Sequence, residues 1–493
     1  MKLSKILKLS LLIYPAFVWM AVLLFFDNNS LVSPSAAFWA SATSIILFTL
    51  LHTAREAEKP LILLMTLITS FWFLLRVIIL AVFPESIAFQ PYVDYQASDI
   101  TSGLAYLCLA TIALGIGMKF GSRVLARREI ERAPVMPPSV LPERVVWLGL
   151  ALSALGLFSY LDIGAGRFSE ALAPIGWIFQ FLNYEIILAL LALLIVTQAR
   201  FFTRYQRRMV LVYYISFTLY RVLVGSRGGL YLVVLYWVLA SIAAKGDLRV
   251  TRKAIGWLVF AAVLVVPFYY FATSTRVLWS PSADRSGSIS ISDVLAAANG
   301  ADLQLVDAVK ELSGRVSALD SLALVVSHKG RESDRYMNWT NVIHVIVNDS
   351  VPGEIWPEAF PTTRAFTIIY WGYPEAFARS VYISNLWTLY GLAYVFWGWY
   401  LGLIATFCIG FILALVYSYI CRSSHEYALP FRLFWLAVIT QGILNYGFEF
   451  WWVYASQGLA VGVIYVLIVK RRTKSAKHGL PWRIADPERP VQA

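Results

Sequence analysis

The stretch RVLVGSRGGLYLVVL, residues 221 to 235, sets two arginines, three glycines and a serine between apolar runs. Residue types of this kind bind anions. Glycine lets the backbone approach a ligand with its amide groups free, and arginine offers a planar, permanently charged fork to phosphate oxygens. GSRGG is thus suited to hold a diphosphate or an anionic headgroup through Arg227, with Arg221 behind it. The same letters also spell an ordinary tight turn in which Arg227 fixes an interface. Further arginines stand singly among mixed neighbours at Arg276, Arg315, Arg364 and Arg379, and one, Arg76, lies inside an apolar run. Metal chemistry has less to work with. His328 and His344 have no third histidine nearby, so neither a metal site nor a cofactor is expected.

The elements that must position these side chains follow from composition. Of 493 residues, 59% are hydrophobic and 14% charged, and the mean hydropathy is +0.67, far too apolar for a soluble chain of this length. Apolar windows fall near 8–26, 35–53, 60–83, 101–118, 145–161, 176–197, 209–225, 229–244, 254–274, 391–419, 430–448 and 453–469. They predict an all-α polytopic transmembrane bundle of about twelve spans. Every second loop is basic or mixed, as in AREAEK, QARFFTRYQRRM, KGDLRVTRK and the tail KRRTKSAKHG, which puts both termini and these loops in the cytoplasm. The net charge of +12 therefore reports topology and not a nucleic-acid partner. Lys2, Lys5 and Lys8 precede an apolar run with no small-residue cleavage site, the pattern of an uncleaved first span. Cys108, Cys408 and Cys421 lie in or beside apolar segments and read as packing residues.

The resulting organisation is spans one to nine over 1–274, a large, partly helical outer loop over 275–390, and three spans with a basic cytoplasmic tail over 391–493. Within the loop, Leu303, Leu305, Val306, Val309, Leu312, Val316, Leu319, Leu322 and Val325 recur at spacings of three and four. They predict an amphipathic helix or helix pair lying on the bundle or at the membrane interface. Pro352, Pro357 and Pro361 rule out a continuous helix further on. With this topology, Arg76, Glu185, Arg221, Arg227 and Glu449 all fall in the outer halves of spans. Ionisable groups at such depth are functional candidates, or else snorkel or pair with one another.

A family resemblance rests on four segments. GSRGG between two spans, GRVSALDSLALV in the outer loop, VPGEIWPEAFP after it, and SNLWTLYGLAYVFWGWYLGLI leading into a span resemble the O-antigen polymerases (Wzy) and related oligosaccharide repeat-unit polymerases. The resemblance covers residues 209 to 470, and the first third of the chain shares only general topology. It implies a metal-independent glycosyltransferase of the bacterial inner membrane. Such an enzyme transfers a glycan from undecaprenyl diphosphate to the non-reducing end of another lipid-linked repeat unit at the periplasmic face. Its partners would be lipid-linked glycans and membrane lipid, together with a chain-length regulator and a flippase. Arg227 matches the arginine of the family's SRG turn, and Arg315 the arginine ahead of LDSL. Where members often carry Ile-Pro-Arg, this chain reads Val351-Pro352-Gly353-Glu354; the arginine is missing, or its role moves to Arg364. Arg276 with Gly287 repeats an arginine–glycine spacing found in some members.

Such a transfer must neutralise a diphosphate leaving group and take a proton from the acceptor hydroxyl. Arginine does the first; Glu354, Glu358, Glu375, Asp320 and His344 are candidates for the second. Glu375 is set beside Arg227 and Arg315 as a catalytic candidate because Arg379 follows it by four residues, a spacing that is equally that of a helical ion pair. Arg221, Arg276, Arg364, Arg379 and Arg76 are the substrate-binding candidates. Trp356, Tyr370, Trp371, Tyr373 and Trp387 suit sugar stacking, or, for most of them, an aromatic belt. Asp94 and Asp99 follow the third span and not the first, which argues against another class of lipid-linked sugar transferase. The Asn-x-Ser/Thr triplets at Asn28, Asn338 and Asn348 arise readily by chance. Two rivals stay open. An O-antigen ligase shares donor and leaving group, and a flippase would carry charges through the full membrane depth and show related halves.

Overall fold

The computed structural model describes residues 2–25, 31–84, 96–125, 143–151, 184–199, 202–223, 229–251, 256, 318–327, 337–350, 355–360, 362–371, 388–422 and 428–444. Among these residues the chain is helical throughout, apart from turns and a single bridge between Lys2 and Arg249. The helices are α1 (Leu3–Phe25), α2 (Pro34–His52), α3 (Lys59–Val82), α4 (Ala97–Leu125), α5 (Tyr184–Gln198), α6 (Arg204–Leu223), α7 (Gly229–Lys245), α8 (Ala318–Ser327), α9 (Trp339–Ser350), α10 (Thr362–Trp371), α11 (Thr388–Arg422) and α12 (Ala428–Leu444). A short helix also runs over 143–151.

Five of these, α1, α2, α3, α4 and α11, are long and apolar enough to cross a membrane. Their outer surfaces agree with that. Leu12, Leu23, Leu24, Tyr400 and Leu401 are all more than half exposed, an arrangement that water would penalise and lipid tails would not. Helix edges match the apolar windows closely for the first four runs. The windows at 254–274 and 453–469, and the twelve-span count that includes them, lie outside the described residues.

The core of the bundle is α4 against α11. The approach is close because glycines remove the side chains between the two backbones. A Cβ added at Gly117 or Gly121 would strike the Phe407 or Phe411 carbonyl, and one at Gly410 would lie 2.6 Å from the Leu114 carbonyl. Such small-residue stripes let helices associate in lipid by packing alone. α2 packs on α4 and α1 lies on α2 and α3, while α5, α7 and α12 pack on one another and α12 also reaches α3.

Two helices are irregular. α11 is broken at Gly398, whose φ of 74° and ψ of −165° only glycine adopts without strain. A Cβ on Gly402 would stand 2.8 Å from the Ala393 carbonyl, although a straight helix would separate these residues by about 13 Å of rise. The break is therefore a sharp corner, and the span expected over 391–419 is two helices, a 388–397 segment buried through Tyr394 and a longer second arm. In α3, residues Ser70–Leu74 form a π-turn. The Tyr14 hydroxyl of α1 donates to the Leu74 carbonyl at 2.8 Å, satisfying a group at the irregularity.

The helix expected in an outer loop departs furthest from expectation. In place of an amphipathic rod on the surface, α8 is enclosed: Ala318 through Val326 are all buried against α4, α11 and the π-turn of α3. Its sequence ALDSLALVVS explains why. Apart from Asp320, Ser321 and Ser327 it is apolar on every face, and a helix apolar all round belongs inside.

A candidate site at a buried ion pair

Arg76 and Asp320 meet where α8 enters the bundle. Nε of Arg76 donates to Oδ1 of Asp320 at 2.9 Å and Nη2 donates to Oδ2 at 2.6 Å, a two-point fork. Both side chains are fully enclosed, at 0% exposure. Asp320 stands in the first turn of α8, where the helix dipole favours a carboxylate. Arg76 follows the π-turn of α3 by two residues. Chain segments 244 residues apart are thus joined by two charged hydrogen bonds at membrane depth.

Hydroxyl groups crowd the same junction. Among the described residues, those of Thr69 and Ser70 on α3, Thr111 on α4, Ser321 on α8 and Tyr390 on α11 are buried without a hydrogen-bond partner. The Tyr390 hydroxyl faces those of Thr69 and Thr111 without reaching hydrogen-bond geometry, and its ring packs edge-on to Phe73 at 5.7 Å. Five unmatched hydroxyls among apolar neighbours are unusual for a protein interior, where buried polar groups are normally paired. On the far side of α4, Tyr106, Tyr394 and Trp399 close edge to face at 5.1–6.1 Å around the Gly398 corner.

A second constellation lies between α9 and the loop 355–360. Asn341 receives the Phe360 amide and donates to its carbonyl, at 2.8 and 2.7 Å. Two turns later, Asn348 accepts from the amides of Ile355 and Trp356 and donates to the Trp356 carbonyl. The two side chains thus hold the loop backbone as a strand partner would. His344, between them, stacks on Trp356 at 4.3 Å and 7°. Two of the Asn-x-Ser/Thr triplets have structural roles of this kind: Asn348 clamps, and Asn338 caps α9 through the Asn341 amide.

The candidates from sequence divide by location. Of the candidate arginines, Arg76 is the one whose side chain is described, and its charge is matched by a carboxylate. Arg221 lies in the last turn of α6 and Arg364 in the first turn of α10, with their side chains outside the described set. Arg227, Arg276, Arg315, Glu375 and Arg379 lie outside the described residues, as do Glu354 and Glu449. Among the candidate bases, Asp320 accepts from Arg76 at both oxygens. Glu358 is exposed. Asp99 has a local role, since its carboxylate accepts from the Gln96 amide at 2.9 Å at the start of α4. Tyr370 is buried on Phe366 and does not join a surface belt. No group of three potential metal ligands occurs among the described residues.

The partnership of Arg76 with Asp320 is not among the expectations drawn from sequence, although a signal for it exists there. Asp320 is the sole charge in ALDSLALVVS and Arg76 the sole charge from 60 to 83. Two lone opposite charges in apolar segments must find each other or reach water. Gly117-x-x-x-Gly121 likewise marks the α4 contact face. Comparison of the chain with family models, with curated proteins and with solved structures returns no match.

Proposed function

We propose that the protein is a membrane-embedded glycosyltransferase that polymerises undecaprenyl-diphosphate-linked oligosaccharide repeat units at the periplasmic face of the bacterial inner membrane. In this reading Arg227 and Arg315 bind and neutralise the diphosphate of the donor, and Arg221, Arg276, Arg364 and Arg379 hold phosphate or glycan around them. Glu375 is the candidate base. No metal is called for, because guanidinium forks supply the charge that a divalent cation would otherwise bring.

One observation carries most of the support. GRVSALDSLALV, a segment on which the family resemblance rests, ends in a helix that is drawn into the bundle and fastened there by an interior arginine. A transport pathway has no evident need for a loop helix held in this way. A reaction site at the membrane face, which must hold a catalytic loop against a lipid-borne substrate, does. The apolar exterior and the five membrane-length helices fit a lipid-linked substrate.

The test is genetic and chemical. In a deletion strain, surface glycan and lipid-linked intermediates are extracted and run on a gel. Loss of long polymer with single repeat units still reaching the surface supports the polymerase. Full-length polymer accumulating on its lipid carrier would make the protein a ligase, and repeat units accumulating on the cytoplasmic side would make it a flippase. Arg227→Ala should abolish polymer while the chain still inserts; normal polymer from that variant would remove Arg227 from the site.

A further inference from the structure

We infer that Arg76 and Asp320 are positioning residues for this reaction: their fork seats α8 against α3, and the seat of α8 sets the reach of Arg315, which precedes Ala318 by three residues in the sequence. The inference rests on the polymerase reading for its link to Arg315, and on geometry alone for the seating of α8.

Apolar packing by itself fixes α8 poorly. Burial is non-directional, and a segment as uniformly apolar as Leu322–Val326 gains nearly the same from several rotations and shifts. A bidentate fork has one geometry. It fixes the rotation and height of the first turn of α8, which is the turn that leads back to Arg315. The neighbouring surfaces are cut to match that one seat. Gly103 of α4 lies so close to Ala323 that an added Cβ would sit 2.7 Å from its Cα, and Gly391 meets Val325 and Leu322 at ordinary contact distance. On the α3 side, the π-turn and the Tyr14 hydrogen bond hold the backbone two residues before Arg76. An apolar pair of similar volume would seat a helix at least as stably in such an interior, so the ionic pair is best explained by the register it enforces.

The experiment uses the full-length chain with Cys108, Cys408 and Cys421 replaced by serine or alanine. Gly391→Cys and Val325→Cys report the seat of α8, because an added Cβ at 391 lies 3.8 Å from a Val325 methyl and falls within reach of a short crosslink. Asp320→Asn is compared with the parent for crosslink yield and for turnover on a purified lipid-linked repeat unit, each normalised to folded, monodisperse protein. The double variant Arg76→Gln/Asp320→Asn leaves no stranded charge and stands in if Asp320→Asn does not accumulate. The expected result is a loss of crosslink together with a fall in kcat of at least about tenfold at little-changed donor KM. Retained crosslink overturns the seating role, whatever the turnover does. Lost crosslink with turnover intact overturns the positioning role. If the parent chain itself makes no polymer, the functional reading falls, and the crosslink still decides whether the pair seats α8.

Discussion

Among the described residues the ion pairs fall into two sets, and they differ in nearly every physical respect. One set ties helix ends together. Asp247, after α7, accepts from the Ser4 hydroxyl at 2.5 Å and pairs with Lys59 at 3.2 Å, while Glu58 pairs with Arg123 at 3.0 Å and Lys119 reaches the Thr53 hydroxyl. The start of α1, the end of α2, the start of α3 and the ends of α4 and α7 are thereby gathered at one end of the bundle. In each pair the cation stays partly in solvent: Lys59 is 28% and Arg123 46% exposed. The other set is the Arg76–Asp320 fork, with both partners sealed from solvent. Wet pairs with one solvated partner can be lost at small cost. A dry pair is worth little against an apolar substitute, yet removing half of it strands a charge where nothing can hydrate it. The end network aligns helices, and the interior pair fixes one short helix in one register.

Breaking the interior pair should have the largest effect. Asp320→Ala takes the carboxylate from Arg76 and should cost about 3–5 kcal/mol, seen as a lower melting temperature and reduced folded yield of the detergent-purified chain. Arg76→Met/Asp320→Leu, which leaves no charge behind, should recover most of that loss; if it is as unstable as the single variant, electrostatic stranding is not the reason for the defect.

Next in size is the glycine contact between α4 and α11. Gly117→Val forces α4 away from the Phe407 carbonyl and should destabilise by about 1–3 kcal/mol, without altering the charge balance. An unchanged melting curve for Gly117→Val would mean that α4 and α11 do not approach as closely as described.

The end network should respond to pH through Asp247. Burial pushes the Asp247 carboxyl up, but the hydrogen bonds from Ser4 and Lys59, with the charge of Lys59, outweigh it and hold the carboxyl below its ordinary value. A lowered folded value stabilises the fold above the unfolded pKa of about 3.9, and that stabilisation is lost as pH falls through the folded value. Asp247→Asn should therefore lose about 1 kcal/mol at neutral pH, with the gap to the parent closing in acid. A gap that is constant down to the acid limit would show that Asp247 acts through shape alone. Smallest of all, Arg123→Ala should shift stability by less than about 1 kcal/mol, and less still in high salt, because nearly half of its side chain is in solvent.

The same contrast separates what could be read from the chain and what could not. Long apolar runs have one stable form in lipid, since a backbone without water must satisfy itself within a helix. That is why α1 to α4 fall where hydropathy puts them, and why Lys59, Glu58 and Asp247, in basic or mixed connections, come together at one end. Proline punctuation also read true, with 355–360 irregular between α9 and α10. The helix at 318–327 was legible as a helix but not as an interior one. Its spacing of apolar residues fits a surface stripe when read with the residues before it, and only the glycine faces of α4 and α11 make room for it inside. The corner at Gly398 was hidden too, because one glycine in an apolar span is ordinary and its φ is decided by what packs around it.

By itself, then, the order of residues determined an all-helical, lipid-facing chain and the set of arginines from which an anion site could be built. Those properties are sums over single residues: transfer free energy, backbone satisfaction and formal charge. Two lone opposite charges and an all-round apolar segment hint at an interior pair, but only tertiary structure set the two-point fork between Asp320 and Arg76, the groove that takes α8, and the two glycine-lined helices that make space for it. Each of these is a relation between segments far apart in the chain, set by shape and by the cost of leaving a buried charge alone, and local sequence does not contain it.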